Sequence, residues 1–415
     1  MSTFFFRIRQ ALVLAGVAGV AGLAACGDKS NPTEPAPTQE SCNNPAPGSR
    51  ALDQAQARPI TSIACTVMKE LDLRSAIIQV SVDDRLVYAT ALGESAPGTP
   101  ATTDMHFRNG AVAMTYMSTV LLQLVDENRL SLGDKVDKWL AGLPAADKVT
   151  LEMLLNNTSG YPDYVADPGF VAATRANPLR EWTADALMSY AFNKDLIYPP
   201  GTNWNYSHTN YLVLDAVIEK ATGKPLDEVL RERVLDPLQL RHTTSSVKPD
   251  IPPPVLRAYT SERGSYEEST SWNPSWSLPA GAVMTTDITD LRISAEAIMS
   301  GRLLSPKSFA AQTDARLVGF GNPAACPPGI CRKNTESAHY GLGLPISGPW
   351  LIQSPLFGGY SASIGMLPER RISIAVAATQ APQADPDRNG SEALMFAIAR
   401  QMAPDKPVPL SDPTD

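Results

Sequence analysis

Two kinds of hydrophobic spacing alternate along this chain. Residues 76–93 read AIIQVSV-DD-RLVYATALG, two β-branched apolar runs on either side of an acidic pair. That pattern predicts a β-hairpin, and a helix is expected just before it, over 61–73. From Val112 to Val125 the apolar positions recur every three or four residues, which predicts an amphipathic helix that fades near Asn128. Residues 128–300 keep a helical, loop-rich pattern. LEMLLNNTSGYPDY predicts a helix that stops at Gly160, with Pro162 just beyond. NYLVLDAVIEKATGKPLDEVLRERVLDPL predicts two helices parted at 222–225. TDITDLRISAEAIMSG predicts a helix capped by Thr286 and ended by Gly301. The spacing then returns to strands in YGLGLPI, PWLIQ, YSASIGMLP and ISIAVAAT, and GSEALMFAIARQMA predicts a closing helix. This order implies an α+β fold. One antiparallel sheet draws on both chain ends and is flanked by helices, with a mostly helical region inserted.

The first 49 residues break this pattern. Arg7 and Arg9 precede ALVLAGVAGVAGLAA, a basic region and a short apolar run ending in small residues, as in a secretory signal peptide. The run is short for a membrane span of about 20 apolar residues. Leu23-Ala24-Ala25-Cys26 looks like a bacterial lipobox, which implies cleavage before Cys26 and its lipidation. Gly27, where an aspartate would signal inner-membrane retention, points to the periplasmic face of the outer membrane or the cell surface. The Pro-rich, polar stretch 26–49 reads as a tether. The expected organisation is therefore a signal peptide (1–25), a tether (26–49), a folded domain (50–402) and a C-terminal tail (403–415).

Composition adds exclusions. With 43% hydrophobic and 19% charged residues the chain is globular, and its 415 residues suffice for one large domain or two smaller ones. A formal charge of −8 without any basic run argues against a nucleic-acid partner. Apart from Cys26 there are four cysteines, an even number that suits an exported protein. Cys326 and Cys331 enclose a tight Pro-Pro-Gly-Ile loop that a disulfide could close, leaving Cys42 to pair with Cys65. Zinc is the competing reading, but there is no CxxC pair. The four histidines, at 106, 208, 242 and 339, are scattered in sequence. No metal and no cofactor are expected.

Many ordered landmarks carry a resemblance. They include FRNG before the long helix and LSLGDKVDKWL after it, LLNNTSGYPDY, YPPGTNWNYSHTNYLVLDAVIEKATG, AGAVMTTDITDL, YGLGLPI and GGYSASIGMLPERRISIAV. Over roughly residues 50–402 the chain resembles the serine β-lactamase and penicillin-binding-protein family, in its class C β-lactamase, DD-peptidase and esterase branch. The resemblance implies the α/β-sandwich of that family and a serine hydrolase site built from three clusters.

Each cluster is altered. The first is Ser-x-x-Lys at the start of the long helix, where a spacing of three lets the amine take the hydroxyl proton. Here FRNGAVAM puts Ala111 in the serine's place and Met114 in the lysine's. Ser118, about 10 Å further along the helix axis, is followed three residues later by Leu121 and offers no shifted motif. The second cluster is Tyr-x-Asn, represented by Tyr206-Ser207-His208. The resemblance gives the tyrosine a part in proton transfer and the asparagine an amide donor toward substrate. A new Ser207–His208 pair is disfavoured, because adjacent residues rarely face each other and the sequence assigns no acidic orienter. The third cluster, a basic residue followed by Thr-Gly on a strand, falls on Gln353-Ser354-Pro355. Glutamine only hydrogen-bonds there, and proline removes a backbone donor.

These substitutions lead to an expected role. The chain reads as an inactive member that binds or scaffolds in the cell envelope, held to the membrane through Cys26. Its cleft, lined by Ala111, Met114, Tyr206, His208, Gln353 and Ser354, should favour a neutral or partly apolar small molecule or peptide. The alternatives are an esterase, amidase or peptidase with unorthodox catalytic residues, and a structural envelope protein with an unused cleft.

Overall fold

The computed structural model describes residues 50–51 and 54–409. The expected signal peptide (1–25) and the whole expected tether (26–49), with Cys26 and Cys42, lie outside the described residues. Along the chain come β1 (Arg50–Ala51), α1 (Gln54–Glu70), β2 (Leu73–Val82) and β3 (Arg85–Ala96). The hairpin turn falls on Asp83 and Asp84, both at positive φ (51° and 61°), as a two-residue turn between twisted strands requires. The long helix α2 spans Val112–Asp126, α3 Thr209–Thr222 and α4 Ile288–Met299. The C-terminal strands are β4 (His339–Tyr340), β5 (Pro345–Ser347), β6 (Trp350–Gln353), β7 (Leu356–Phe357), β8 (Tyr360–Leu367) and β9 (Ile372–Gln380), followed by α5 (Gly390–Met402).

The sheet order is β1-β3-β2-β9-β8-β6-β5-β4, with β7 paired to β8 and every pairing antiparallel. Its seam joins the two chain ends. Ser75 of β2 opposes Thr379 of β9, and their hydroxyls are 2.6 Å apart. Alternation along each strand assigns the faces. Ala76, Ile78 and Val80 of β2, with Ile374, Val376 and Ala378 of β9, pack under α1 and α5. Ile77, Ala375 and Ala377 point the other way, into the core shared with α2 and α4. Each of the fully buried Ile and Val side chains contributes about 1.5–3 kcal/mol. Both faces are covered, so these strands read as near-continuous apolar runs.

Four boundaries differ from the spacing-based expectation. The helix expected over 61–73 runs from Gln54 to Glu70, and Leu73 already belongs to β2. The helix in LEMLLNNTSG covers only Leu151–Leu155. Beyond it the Asn156 carboxamide accepts from Thr158, and the Asn157 carboxamide accepts from Ser207 N–H (3.1 Å) and Asn210 Nδ2 (2.9 Å). These side-chain bonds replace the helical ladder and tie the loop to the Tyr206–His208 segment. Asp287, not Thr286, caps α4, because Thr286 is a strand residue paired with Phe107. The second helix after Gly223 breaks into short pieces, with a π turn at Arg231–Leu235 just before Pro237, which has no N–H to donate.

The segment after α5, expected as a tail, continues across the sheet. Ala403 and Val408 are buried, and Trp350 donates to the Lys406 carbonyl. Cys326 and Cys331 form a disulfide. Cys65 is also disulfide-bonded. No helix of the described residues is long and apolar enough to cross a membrane.

Candidate functional site

Helix α2 begins beside the end of β6. Ala111 is its N-cap residue and supplies no side-chain cap. Its carbonyl accepts from the Met114 N–H (3.0 Å) and from the Gln353 carboxamide at the end of β6 (2.9 Å). The Gln353 Oε1 in turn accepts from the Ser354 N–H. Both ends of this glutamine are thus consumed in joining the strand to the start of the helix.

Three residues into α2, the fully buried Met114 turns its sulfur toward Tyr206, whose hydroxyl donates to it at 2.9 Å. Burial pushes the Tyr206 phenol well above its ordinary range, and Tyr340, Asp163 and Tyr164 reinforce the shift. At neutral pH it is a donor and not a base. Ala111 is 6% exposed, Tyr206 8%, and Met114 and Gln353 0%, so the floor of the cleft is closed.

Part of that closure comes from the altered third cluster. Gly110 has φ +52°, and a Cβ built there would lie 2.6 Å from Phe357 Cε1 and 2.9 Å from Pro355 Cβ. The Pro355 ring and the Phe357 edge therefore sit directly on the residue before Ala111. Behind them, Asn389 donates to the Ser354 and Pro355 carbonyls. The Ser354 hydroxyl donates to Glu392 (2.7 Å), a buried carboxyl whose pKa burial raises to about 7 against that hydrogen bond.

The second cluster holds a partner that sequence reasoning missed. His208 is the N-cap residue of α3. Its backbone N–H donates to one oxygen of Asp163 and its Nδ1 lies against the other, each at 3.1 Å. Asp163 stands 45 residues earlier, in the quoted GYPDY landmark, and nothing in the spacing assigns it to His208. The imidazole lies edge-on to the rings of Tyr206 (5.1 Å between centroids) and Tyr164 (6.1 Å).

The remaining candidates separate. Ser207 donates to the Pro162 carbonyl and is fully buried, while His208 turns to Asp163. Ser118 is fully buried and donates to the Leu342 carbonyl. Two of the scattered histidines converge, with His106 and His242 ring centroids 5.5 Å apart. Among the described residues no group of three or more His, Cys, Asp or Glu is placed to hold a metal. The disulfide loop packs near the second cluster, where Asn203 donates to the Asn322 carbonyl and to Cys326 Sγ.

A sheet built from both chain ends, with a long helix starting under one edge and a Tyr-x-x loop facing it, defines a β-lactamase-type fold. The family model described as Beta-lactamase matches residues 60–397, and the chain belongs to that family. It is 30% identical over 224 residues to Penicillin-binding protein 4 of Amycolatopsis lactamdurans, covering 51% of this chain and 56% of that protein. Among solved structures it is similar to a D-stereospecific amidohydrolase from Streptomyces sp., with a TM-score of 0.69 and 27% identity over 83% of this chain and 98% of that one. The D-amino acid amidase of Ochrobactrum anthropi shares the fold, with a TM-score of 0.72 and 19% identity over 85% and 99% of the two chains.

Proposed function

We propose that this member of the family no longer performs acyl transfer and acts as a binding or scaffold protein of the cell envelope, anchored through a lipidated Cys26 at the periplasmic face of the outer membrane or the cell surface. The observation that carries this reading is the Tyr206–Met114 contact. Where a lysine would exchange protons with the tyrosine, a thioether accepts its hydroxyl. A methyl group at Ala111 has no lone pair with which to attack a carbonyl. Ligand recognition then falls to the rim, where His208 is partly exposed, and the absence of a cation at Met114 and Gln353 favours a neutral, partly apolar molecule.

The Asp163–His208 pair supports a second reading, an esterase or amidase in which the imidazole is the base. It requires a nucleophile or an activated water within reach of that ring.

The decisive experiment treats the purified, full-length mature protein with a fluorophosphonate probe, a labelled penicillin and nitrocefin, followed by mass spectrometry. No adduct and no turnover are expected, and a stoichiometric adduct on any cleft residue sinks the inactive reading. Ala111→Ser alone should give no turnover, because the base is also missing, whereas Ala111→Ser with Met114→Lys is expected to give weak ester hydrolysis. Robust activity from the single change would refute the account of the missing base.

A further inference from the structure

We infer that His208 presents a fixed hydrogen-bond acceptor at the rim of the cleft, and that the ligand recognised there is a neutral molecule offering an N–H or O–H donor beside an apolar face. This rests on the binding role proposed above and names the chemistry of its ligand. An ionised carboxylate only accepts, so Asp163 holds the ring proton on Nδ1. Nε2 is then the lone-pair nitrogen, and it has no partner among the described residues.

The tautomer is over-determined. One Asp163 oxygen already accepts from the backbone N–H groups of His208 (3.1 Å) and Val165 (3.2 Å), which fixes the carboxylate and aims its second oxygen at the ring. The Asp163 side chain is 3% exposed and that of His208 13%, so the orienting group is sealed while the ring keeps an opening to solvent.

Apolar surface adjoins it. The Tyr164 ring beside His208 donates its hydroxyl to the Trp276 carbonyl, and Trp276 faces Phe357 with 6.1 Å between centroids. Both of these rings are half-buried. A partly desolvated rim of this kind disfavours a full charge on the ligand. An amide in this position would offer a donor as well as an acceptor. The Asp163-held imidazole offers the acceptor alone, and so inverts which half of a carboxamide it selects.

The test uses the full-length mature protein with 15N-labelled histidine and two probes, phenylacetamide and methyl phenylacetate. The two share a ring and a carbonyl, and only the amide carries N–H donors. At pH 7.5 the His208 Nε2 resonance is expected to be that of an unprotonated nitrogen. Phenylacetamide should bind about fivefold more tightly than the ester, the effect of one net hydrogen bond. In Asp163→Asn the oxygen bound by two backbone N–H groups must stay an oxygen, so the amide NH2 faces Nδ1. The ring proton moves to Nε2, which the carbonyl of either probe can accept, and the advantage that the amide N–H gave should be lost. His208→Ala, at a partly exposed position, should abolish the preference and keeps the test open if Asp163→Asn fails to fold. A doubly protonated imidazole at pH 7.5, equal or tighter binding of the ester, or binding of neither probe would overturn the inference. A penicillin adduct would overturn the inactive reading while leaving the tautomer and the probe preference intact, so the two failures are distinguishable.

Discussion

The floor and the rim of this cleft have diverged in opposite directions. On the floor three polar side chains are taken up by protein partners. Tyr206 meets the Met114 sulfur, Gln353 meets the Ala111 carbonyl, and Ser354 meets Glu392. At the rim, Asp163 orients His208 and leaves one ring nitrogen without a partner among the described residues. The floor has become part of the hydrophobic core, since Ala111, Met114 and Tyr206 belong to the same cluster as the sheet and α2. The floor is thus satisfied from within the fold, whereas the ring held by a buried carboxylate at the rim keeps an opening to solvent.

The largest test of the floor is a charge placed inside it. Met114→Lys puts an ammonium at a fully buried position, and should cost about 3–5 kcal/mol by chemical denaturation. A near-neutral result would mean that the floor opens readily to water.

Next comes the support behind Gln353 and Ser354. Glu392 has a folded pKa of about 7, above its ordinary value of 4.5. The fold thus favours the protonated carboxyl. Its contribution is complete below pH 4.5 and is lost as pH rises through about 7. Glu392→Gln keeps an acceptor for Ser354 and cannot ionise, so at pH 8 it should be more stable than the parent by on the order of 2–3 kcal/mol. The difference should vanish near pH 4.5, and a gain independent of pH would contradict the assignment.

For the rim, Asp163→Ala removes partners of the His208 ring and backbone N–H and of Val165 N–H. It should cost about 2 kcal/mol by thermal denaturation. The smallest effect is expected for Tyr206→Phe, which gives up a hydroxyl bond to a weak sulfur acceptor and should change stability by less than about 1 kcal/mol. A larger loss would show that the phenol does more for the floor than fill it.

Legibility in the sequence divides along the same line. Element types and their order followed from spacing, because burial on both sheet faces leaves continuous apolar runs and α2 keeps its helical period. The altered clusters were also legible, since Ala111, Met114, His208 and Gln353 are substitutions at landmark positions. Helix ends were read less well where side chains bond the backbone, as Asn156 and Asn157 do after Leu155. Two features depend on contacts between distant segments, and periodicity carries no trace of them. One is the seating of Pro355 and Phe357 on Gly110. The other is the Asp163–His208 pair.

The first of these has a steric consequence. A residue with a side chain cannot stand at Gly110 without moving Phe357 or Pro355, and the Pro355 backbone is held from behind by Asn389. Restoring the serine and the lysine leaves that contact in place. It works as a clamp, and a library meant to widen the cleft should begin at Pro355.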